Sequence, residues 1–186
     1  MITIVSGLPR SGTSLMMQML AAGGLALLTD GLRERDADNP RGYLEWERIK
    51  TLPQEAGCIA QAEGKAVKVI SSLLFALPEG HDYRIIFMCR PLPEVLASQK
   101  EMIHRKAAAG PTLPEPALMA ALQAHLNQTN AWLDQRPGEQ VCRIDYHHAL
   151  CEPLPTAQAV QRFLGVPLAV AAMAQKVDLS LYRHRG

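Results

Sequence analysis

Short apolar runs alternate with longer amphipathic segments along this chain. Runs rich in β-branched and apolar residues predict strands over 2–6, 25–28, 66–71, 84–89 and 140–144. Apolar residues at helical spacing predict helices over 13–22, 44–52, 93–109, 117–135, 156–164 and 168–176. Strands that alternate with helices are typical of a parallel sheet with helices on both faces. We therefore expect an α/β fold whose sheet has four or five strands.

The length of the chain fits one domain, which we place over residues 1–186. The segment 30–42 has few apolar residues and is rich in charged residues, glycine and proline. A loop of this length in a compact domain is usually functional. Ligands of parallel sheets bind beyond the carboxyl ends of the strands, so we expect the binding site at that edge.

The balance of charge excludes a general attraction to polyanions. The chain has 19 Lys and Arg against 18 Asp and Glu, for a formal net charge of +1. Such a chain has no global field that attracts nucleic acid or an anionic membrane. An anion would have to be bound by local geometry. This favours a small anionic ligand and no nucleic-acid partner.

The apolar runs also indicate where the protein is found. They are far shorter than the ~20 residues of a membrane-spanning helix, and no basic leader precedes the first predicted strand. The four cysteines (Cys58, Cys89, Cys142 and Cys151) form no CxxC pair, and we interpret them as reduced thiols. We expect a cytoplasmic protein without a membrane span.

One segment between a predicted strand and a predicted helix has the composition of an anion-binding loop. It reads Gly7-Leu8-Pro9-Arg10-Ser11-Gly12-Thr13-Ser14. Glycines let the backbone wrap closely around an anion, while successive N–H groups and the helix N-terminus supply donors. The hydroxyls of Thr13 and Ser14 add two more. This context favours a phosphate-binding loop over a plain turn, and it predicts a three-layer fold like that of the P-loop NTPases.

The loop departs from the pattern of kinases and ATPases. Those proteins have a lysine after the second glycine, where this chain has Thr13, and here the cation is Arg10 instead. The strongest apolar strand is followed by Arg90 and not by an aspartate suited to magnesium. A sulfuryl group has less negative charge than a terminal phosphoryl group, so one guanidinium can stabilise its transfer without a metal. We therefore expect no bound metal.

At these residues the chain resembles the sulfotransferases that use 3′-phosphoadenosine 5′-phosphosulfate (PAPS). Residues 9–14 resemble that family's 5′-phosphosulfate loop, in the proline-arginine form of glycan- and protein-modifying members. Residues 84–98 resemble its 3′-phosphate motif, in which an arginine at a strand end (Arg90) is followed eight residues later by a helical serine (Ser98). Residues 145–165 are similar to its closing tyrosine-acid-leucine segment and the following helix. The three segments span most of the chain in the family's order.

The resemblance implies transfer of a sulfuryl group from PAPS, as co-substrate, to a hydroxyl of a small molecule, glycan or peptide. It implies that Arg10 stabilises the bridging oxygen and that Arg90 and Ser98 bind the 3′-phosphate. It also implies that the 5′-phosphosulfate is bound by Pro9, Arg10, Ser11, Gly12, Thr13 and Ser14. Tyr146 contacts the adenine by the same analogy. The residues alone leave a surface ion pair open for Arg90, and a place in the core open for Ser98 and Tyr146.

The chain also differs from the small-molecule members of that family. When their third strand is aligned on Lys68, the position of their catalytic histidine is occupied by Ile70. Their glycine-rich basic segment near the C-terminus is missing, and Arg183 and Arg185 are the residues that could replace its charges.

We place the general base among the acids instead. Asp30 follows the second predicted strand, where glycan and protein sulfotransferases tend to have a carboxylate base. Glu45 lies in a segment, 39–45, that resembles bacterial members of the family. A solvated surface charge is the open alternative for each acid.

Other clusters favour structural roles. His147 and His148 are adjacent, hence ~100° apart on a helix and badly placed to share a metal ion. Trp46 and Trp132 lack the interleaved basic residues of a base-stacking surface, and Trp46 lines an acceptor pocket or packs in the core. Two other functions remain open. One is a kinase with an altered loop, which needs magnesium and ATP, and the other is a nucleotide-binding module without turnover.

Overall fold

A four-stranded parallel sheet forms the centre of the computed structural model, which describes residues 1–33, 36, 39, 42–105 and 114–178. The strands are β1 (Ile2–Gly7), β2 (Ala66–Lys68), β3 (Tyr83–Cys89) and β4 (Val141–Asp145), in the order β2-β1-β3-β4. Val5 of β1 pairs with Lys68 on one side and with Ile86 on the other. All carboxyl ends therefore lie at one edge of the sheet, where β1 runs directly into the glycine loop.

The described residues form six α-helices. They are α1 (Thr13–Ala22), α2 (Leu92–Arg105), α3 (Glu115–Asp134), α4 (Tyr146–Cys151), α5 (Pro153–Leu164) and α6 (Val170–Ala174). The connections contain 3₁₀ helices at Glu47–Thr51, Ala56–Ala62, Ser71–Ala76 and Gly138–Gln140. None of the described helices is long and apolar enough to cross a membrane.

Alternate residues of the strands face two separate hydrophobic layers. Ile85 and Phe87 of β3 pack with Ile4 against the 3₁₀ segments and α3 on one face. Ile86 and Met88, one residue out of phase, pack against α1, α5 and α6 on the other. This period of two is what a strand buried on both faces requires. The predicted three-layer α/β fold with a parallel sheet is confirmed.

Two elements are shorter than the sequence predicts. The expected strand 25–28 is a single bridge between Leu27 and Ala66, so the sheet has four strands. Because β2 has only three residues, it offers few backbone groups with which residues 25–28 could pair. The expected helix 44–52 is confined to the 3₁₀ helix Glu47–Thr51. The predicted helix 93–109 is present as α2, and residues 106–109 lie outside the described part.

The segment after β4 differs from the prediction. β4 continues to Asp145, whose carboxylate accepts a hydrogen bond from the backbone N–H of His148 at 2.8 Å and caps α4, a helix that the sequence did not predict. Thr156, the first residue of the next predicted helix, is buried inside α5. That helix begins at Pro153 because proline fits the first turn, where no N–H partner is needed.

Candidate functional site

The two glycines of the loop are required by close packing. A Cβ atom on Gly7 would lie 2.8 Å from the carbonyl oxygen of Met88 in β3. One on Gly12 would lie 2.4 Å from the ring of Tyr146, and Gly12 has a left-handed φ of 103°. Any side chain at either position would displace the neighbouring strand or ring. The loop therefore keeps its backbone against β3 and α4.

Arg10 connects the loop to α2. Its φ is 76°, an uncommon conformation for a residue other than glycine, which turns the chain sharply before Gly12. Its Nε donates a hydrogen bond to Ser98 Oγ at 2.9 Å. Gln99 Nε2 donates to the carbonyl oxygen of Pro9 at 3.0 Å. The loop is thus held by α2, the helix whose Ser98 the resemblance assigns to the 3′-phosphate.

A cavity of about 360 Å³ opens at the carboxyl edge of the sheet. Its walls come from several separate parts of the chain. The glycine loop contributes Gly7, Leu8, Pro9, Arg10, Gly12, Thr13 and Ser14; the β3–α2 and β4–α4 junctions contribute Arg90, Ser98 and Tyr146. The segment after the expected second strand contributes Arg33, Asn39, Tyr43, Glu45, Trp46 and Ile49, and the end of β2 contributes Lys68, Ile70 and Leu73.

Arg90 is in an ion pair, but a buried one. Its side chain is 6% exposed, and its Nε donates to Glu94 Oε2 at 3.0 Å. Its Nη1 donates to the carbonyl oxygen of Arg10 at 3.0 Å, and its guanidinium lies 4.6 Å from the centre of the Tyr146 ring. His147 contacts the same Glu94 carboxylate. Arg90 therefore lines the cavity while it also fixes the loop, and its ion pair is buried and not the surface pair that the sequence left open.

Burial shifts the pKa of two groups around Arg90. It raises the pKa of the Tyr146 phenol above its ordinary value, against the opposing effect of Arg90 and Arg10. It also pushes the pKa of Glu94 upward, but hydrogen bonds from His147 and Arg90 outweigh it, so the pKa lies below its ordinary value. Glu94 therefore stays ionised as the partner of Arg90.

Lys68 is a site residue that the sequence analysis did not assign. Its Nζ donates to Ser14 Oγ at 2.9 Å and also to the carbonyl oxygen of Tyr43. Burial lowers the pKa of its ammonium group to about 8, although Glu45 partly opposes this. The sequence did contain an indication of this role, since a lysine stands inside the apolar run 66–70 at the end of a strand.

Ser14 is the point at which the loop meets the opposite wall. Its Oγ accepts hydrogen bonds from Lys68 and, at 2.7 Å, from Asn39 Nδ2. A hydroxyl that accepts two hydrogen bonds still has its own proton to donate. Thr13 also lines the cavity, whereas the Ser11 side chain is buried beneath the loop and its N–H bonds to the carbonyl oxygen of Leu8. Ser11 therefore shapes the loop through its backbone.

The two candidate bases occupy different places. Glu45 lines the cavity, accepts hydrogen bonds from Arg33 Nη1 at 2.9 and 3.1 Å, and lies 3.7 Å from Lys68 Nζ. Asp30 is exposed and does not line the cavity. Its carboxylate accepts from the backbone N–H groups of Leu32 and Glu47, which fixes the turn before the 3₁₀ helix. The structure brings Glu45, and not Asp30, to the predicted site.

The other candidates are also placed by their burial. Trp46 is 7% exposed and packs mostly in the core, with an edge at the cavity. Among the described residues no group of three His, Cys, Asp or Glu side chains is close enough to hold a metal ion. Asp145 does end a strand, which the sequence analysis missed, but its carboxylate caps α4. Arg183 and Arg185 lie outside the described residues.

The donors present fit a nucleotide with anionic groups. Hydroxyls, two guanidinium groups and an ammonium group converge on one cavity, and the loop beside them is close-packed at Gly7 and Gly12, where a Cβ would clash. Their positive charges come from Arg10, Arg90 and Lys68. A cradle of this kind suits phosphate and sulfate groups.

Comparison with known proteins agrees with this fold. No protein-family model and no curated protein matches the sequence. The structure is similar to the sulfotransferase domain from the curacin biosynthetic pathway (TM-score 0.61, 16% identity, 99% of this chain and 78% of that one). It is equally similar to that of the Synechococcus PCC 7002 olefin synthase (0.61, 17%, 99% and 78%). A mouse sulfotransferase complexed with PAP also matches (0.58, 15%, 100% and 66%). The chain therefore has the sulfotransferase fold.

Proposed function

We propose that this protein transfers a sulfuryl group from PAPS to a hydroxyl acceptor. The observation that supports this most is the contact of Arg10 with Ser98 on α2, together with that of its carbonyl with Arg90. Through these contacts the loop for the 5′-phosphosulfate and the residues for the 3′-phosphate line one cavity. Glu45 lines the same cavity and supplies a carboxylate.

In this proposal the nucleotide is held by the polar half of the cavity. Thr13, Ser14 and the N-terminus of α1 bind the 5′-phosphate. Arg90 and Ser98 bind the 3′-phosphate, which distinguishes PAPS from nucleotides without that group. Arg10 stabilises the negative charge that grows on the bridging oxygen during transfer.

The acceptor hydroxyl is activated by Glu45. As the bond between the acceptor oxygen and sulfur forms, the bond from sulfur to the bridging oxygen breaks, and the proton moves to the Glu45 carboxylate. Lys68 and Arg33 hold that carboxylate in place. Lys68 also adds positive charge beside Ser14.

Two other functions would use the same cavity in different ways. A kinase would require magnesium and ATP. It would use Lys68, which lies beside the Ser14 hydroxyl, in the role that the lysine of the loop has in other P-loop proteins. A binding module without turnover would lack a carboxylate near the transferred group, and the position of Glu45 in the cavity favours an enzyme over this alternative.

Thermal shifts with nucleotides test the proposal. At about 100 times its Kd, 3′,5′-diphosphoadenosine stabilises the fold by about 2.7 kcal/mol, which is a rise in Tm of roughly 5–10 °C for a chain of this size. We expect this rise in the presence of EDTA, and a smaller one with ATP and magnesium. A rise with ATP that depends on magnesium, and none with 3′,5′-diphosphoadenosine, would favour the kinase instead.

A further inference from the structure

The cavity has an apolar wall on the side of Glu45. Trp46 follows Glu45 directly, Ile49 lies one 3₁₀ turn later, and Ile70 and Leu73 follow the end of β2. Trp46, Ile49 and Leu73 belong to the hydrophobic layer on one face of the sheet. A hydroxyl brought to Glu45 therefore has the rest of its molecule beside this wall.

The charged groups next to the wall are paired with one another. Glu45 pairs with Arg33 and lies 3.7 Å from Lys68 Nζ, and the Nζ of Lys50 binds the carboxylate of Glu47. An ionised acceptor would have to compete with these pairs, while an uncharged one leaves them intact. The local charges therefore favour an uncharged acceptor.

The exposed surface of the wall favours an apolar acceptor over a sugar. Trp46 is only 7% exposed and packs in the core, so it offers little surface on which a sugar ring could stack. Ile70 is 38% exposed and offers aliphatic surface instead. An apolar body that covers Ile70 removes apolar surface from water, whereas each hydroxyl buried there without a partner costs free energy.

We propose that the acceptor is an uncharged alcohol whose hydroxyl is attached to an apolar body. The body lies against Ile70 and Leu73, and the hydroxyl is directed to Glu45. This inference rests on the proposed sulfuryl transfer. The acceptor oxygen gains the bond to sulfur, the bridging oxygen keeps the electron pair of the bond that breaks, and the acceptor proton passes to Glu45.

Acceptors of matched size test this inference with labelled PAPS. We expect kcat/KM for 1-hexanol to exceed that for sorbitol, which has the same number of carbons, and that for N-acetylglucosamine by at least tenfold. It should also rise by about tenfold or more from 1-pentanol to 1-hexanol, since the one added methylene is worth about 10–200-fold in an apolar pocket.

Three outcomes would contradict it. Faster transfer to sorbitol or N-acetylglucosamine overturns the acceptor class and leaves the proposed sulfuryl transfer intact. Binding of 3′,5′-diphosphoadenosine without transfer to any alkanol also contradicts it, and if sorbitol and N-acetylglucosamine are not sulfated either, this outcome favours the binding module without turnover. If the protein neither binds this nucleotide nor transfers sulfate, the proposed function itself is wrong and the inference falls with it.

A matched pair of variants locates the acceptor on the wall. Ile70→Ser should lower kcat/KM for 1-hexanol by about tenfold or more and leave the affinity for 3′,5′-diphosphoadenosine unchanged. Leu154→Ser is the control, because Leu154 in α5 is 44% exposed but does not line the cavity. Equal activity of the two variants toward 1-hexanol would show that the alcohol does not lie on Ile70. Since Ile70 is partly exposed, we expect both variants to fold, which their Tm values check.

Discussion

The two halves of the cavity are built in different ways. In the proposed function one half binds the nucleotide and the other binds the acceptor. The nucleotide half comes from one continuous loop, residues 7–14, which is held by Arg90 directly after β3 and by Ser98 of α2. The acceptor half comes from separate segments: Glu45 and Trp46 from the long connection after α1, and Lys68, Ile70 and Leu73 from the end of β2.

This difference predicts that nucleotide affinity and the transfer reaction depend on different residues. The nucleotide half consists of backbone donors, hydroxyls and arginines, so its variants should act mainly on affinity, except where charge grows during transfer. The acceptor half contains the paired carboxylate Glu45 and an apolar wall, so its variants should act on turnover and acceptor choice.

The largest expected effect is in the acceptor half. Glu45→Gln should lower the rate of transfer by about 10²–10⁴-fold, because a positioned base is lost while the shape of the side chain is kept. Binding of 3′,5′-diphosphoadenosine should be retained. Asp30→Asn is the comparison, and it should retain transfer because Asp30 holds backbone N–H groups outside the cavity. The opposite result, with Asp30→Asn inactive and Glu45→Gln active, would move the base to Asp30.

The two arginines of the nucleotide half should differ from each other. Arg10→Ala should lower kcat by about 10²–10³-fold and nucleotide affinity by less, since the charge it stabilises grows only during transfer. Arg90→Ala should weaken binding of 3′,5′-diphosphoadenosine by about 1.5–3 kcal/mol and binding of adenosine 5′-phosphate by less, since the latter lacks the 3′ group and is affected only through the contact of Arg90 with the loop.

Calorimetric affinities and single-turnover rates separate these effects. Because Arg90→Ala also leaves the buried Glu94 without this partner, the double variant Arg90→Ala/Glu94→Ala serves as a control for the fold. The same loss of affinity for both nucleotides, or identical profiles for the Arg10 and Arg90 variants, would contradict the separate roles.

The smallest expected effect is a pH dependence at Lys68, where the two halves meet. Its ammonium group is protonated below a pKa of about 8, so the affinity for 3′,5′-diphosphoadenosine should fall as the pH rises through and above that value, on the order of tenfold. Lys68→Met should bind more weakly at neutral pH and lack this dependence. An identical pH profile for Lys68→Met and the unmodified protein would remove Lys68 from the nucleotide site.

The stability of the fold provides a second measurement at Lys68. The folded chain binds fewer protons there than the unfolded chain between pH 8 and the ordinary value of 10.5. The free energy of unfolding, relative to Lys68→Met, should therefore rise with pH across that window, by about 3 kcal/mol in total. Denaturant unfolding at several pH values tests the sign, and a fall would contradict it.

The sequence by itself determined the parts that depend on neighbours along the chain. The buried strands β1 and β3, the glycine loop after β1 and the helix that begins at Thr13 are all as predicted. Each follows from residues a few positions apart, because backbone donors, helix ends and strand faces are local properties. The expected strand 25–28 is one exception, because the length of a strand depends on its partner, which here is the short β2.

Only the tertiary structure decided which distant side chains meet. Nothing near Asp30 or Glu45 in the sequence distinguishes a turn-forming acid from one that lines the cavity. The chain leaves the sheet after α1 and returns as β2, and this path carries Glu45 to Lys68 while Asp30 stays at the surface. Likewise Lys68 pairs with Ser14 because β2 lies next to β1. Contacts between such separated residues depend on the crossover connections of a parallel sheet, which no local pattern encodes.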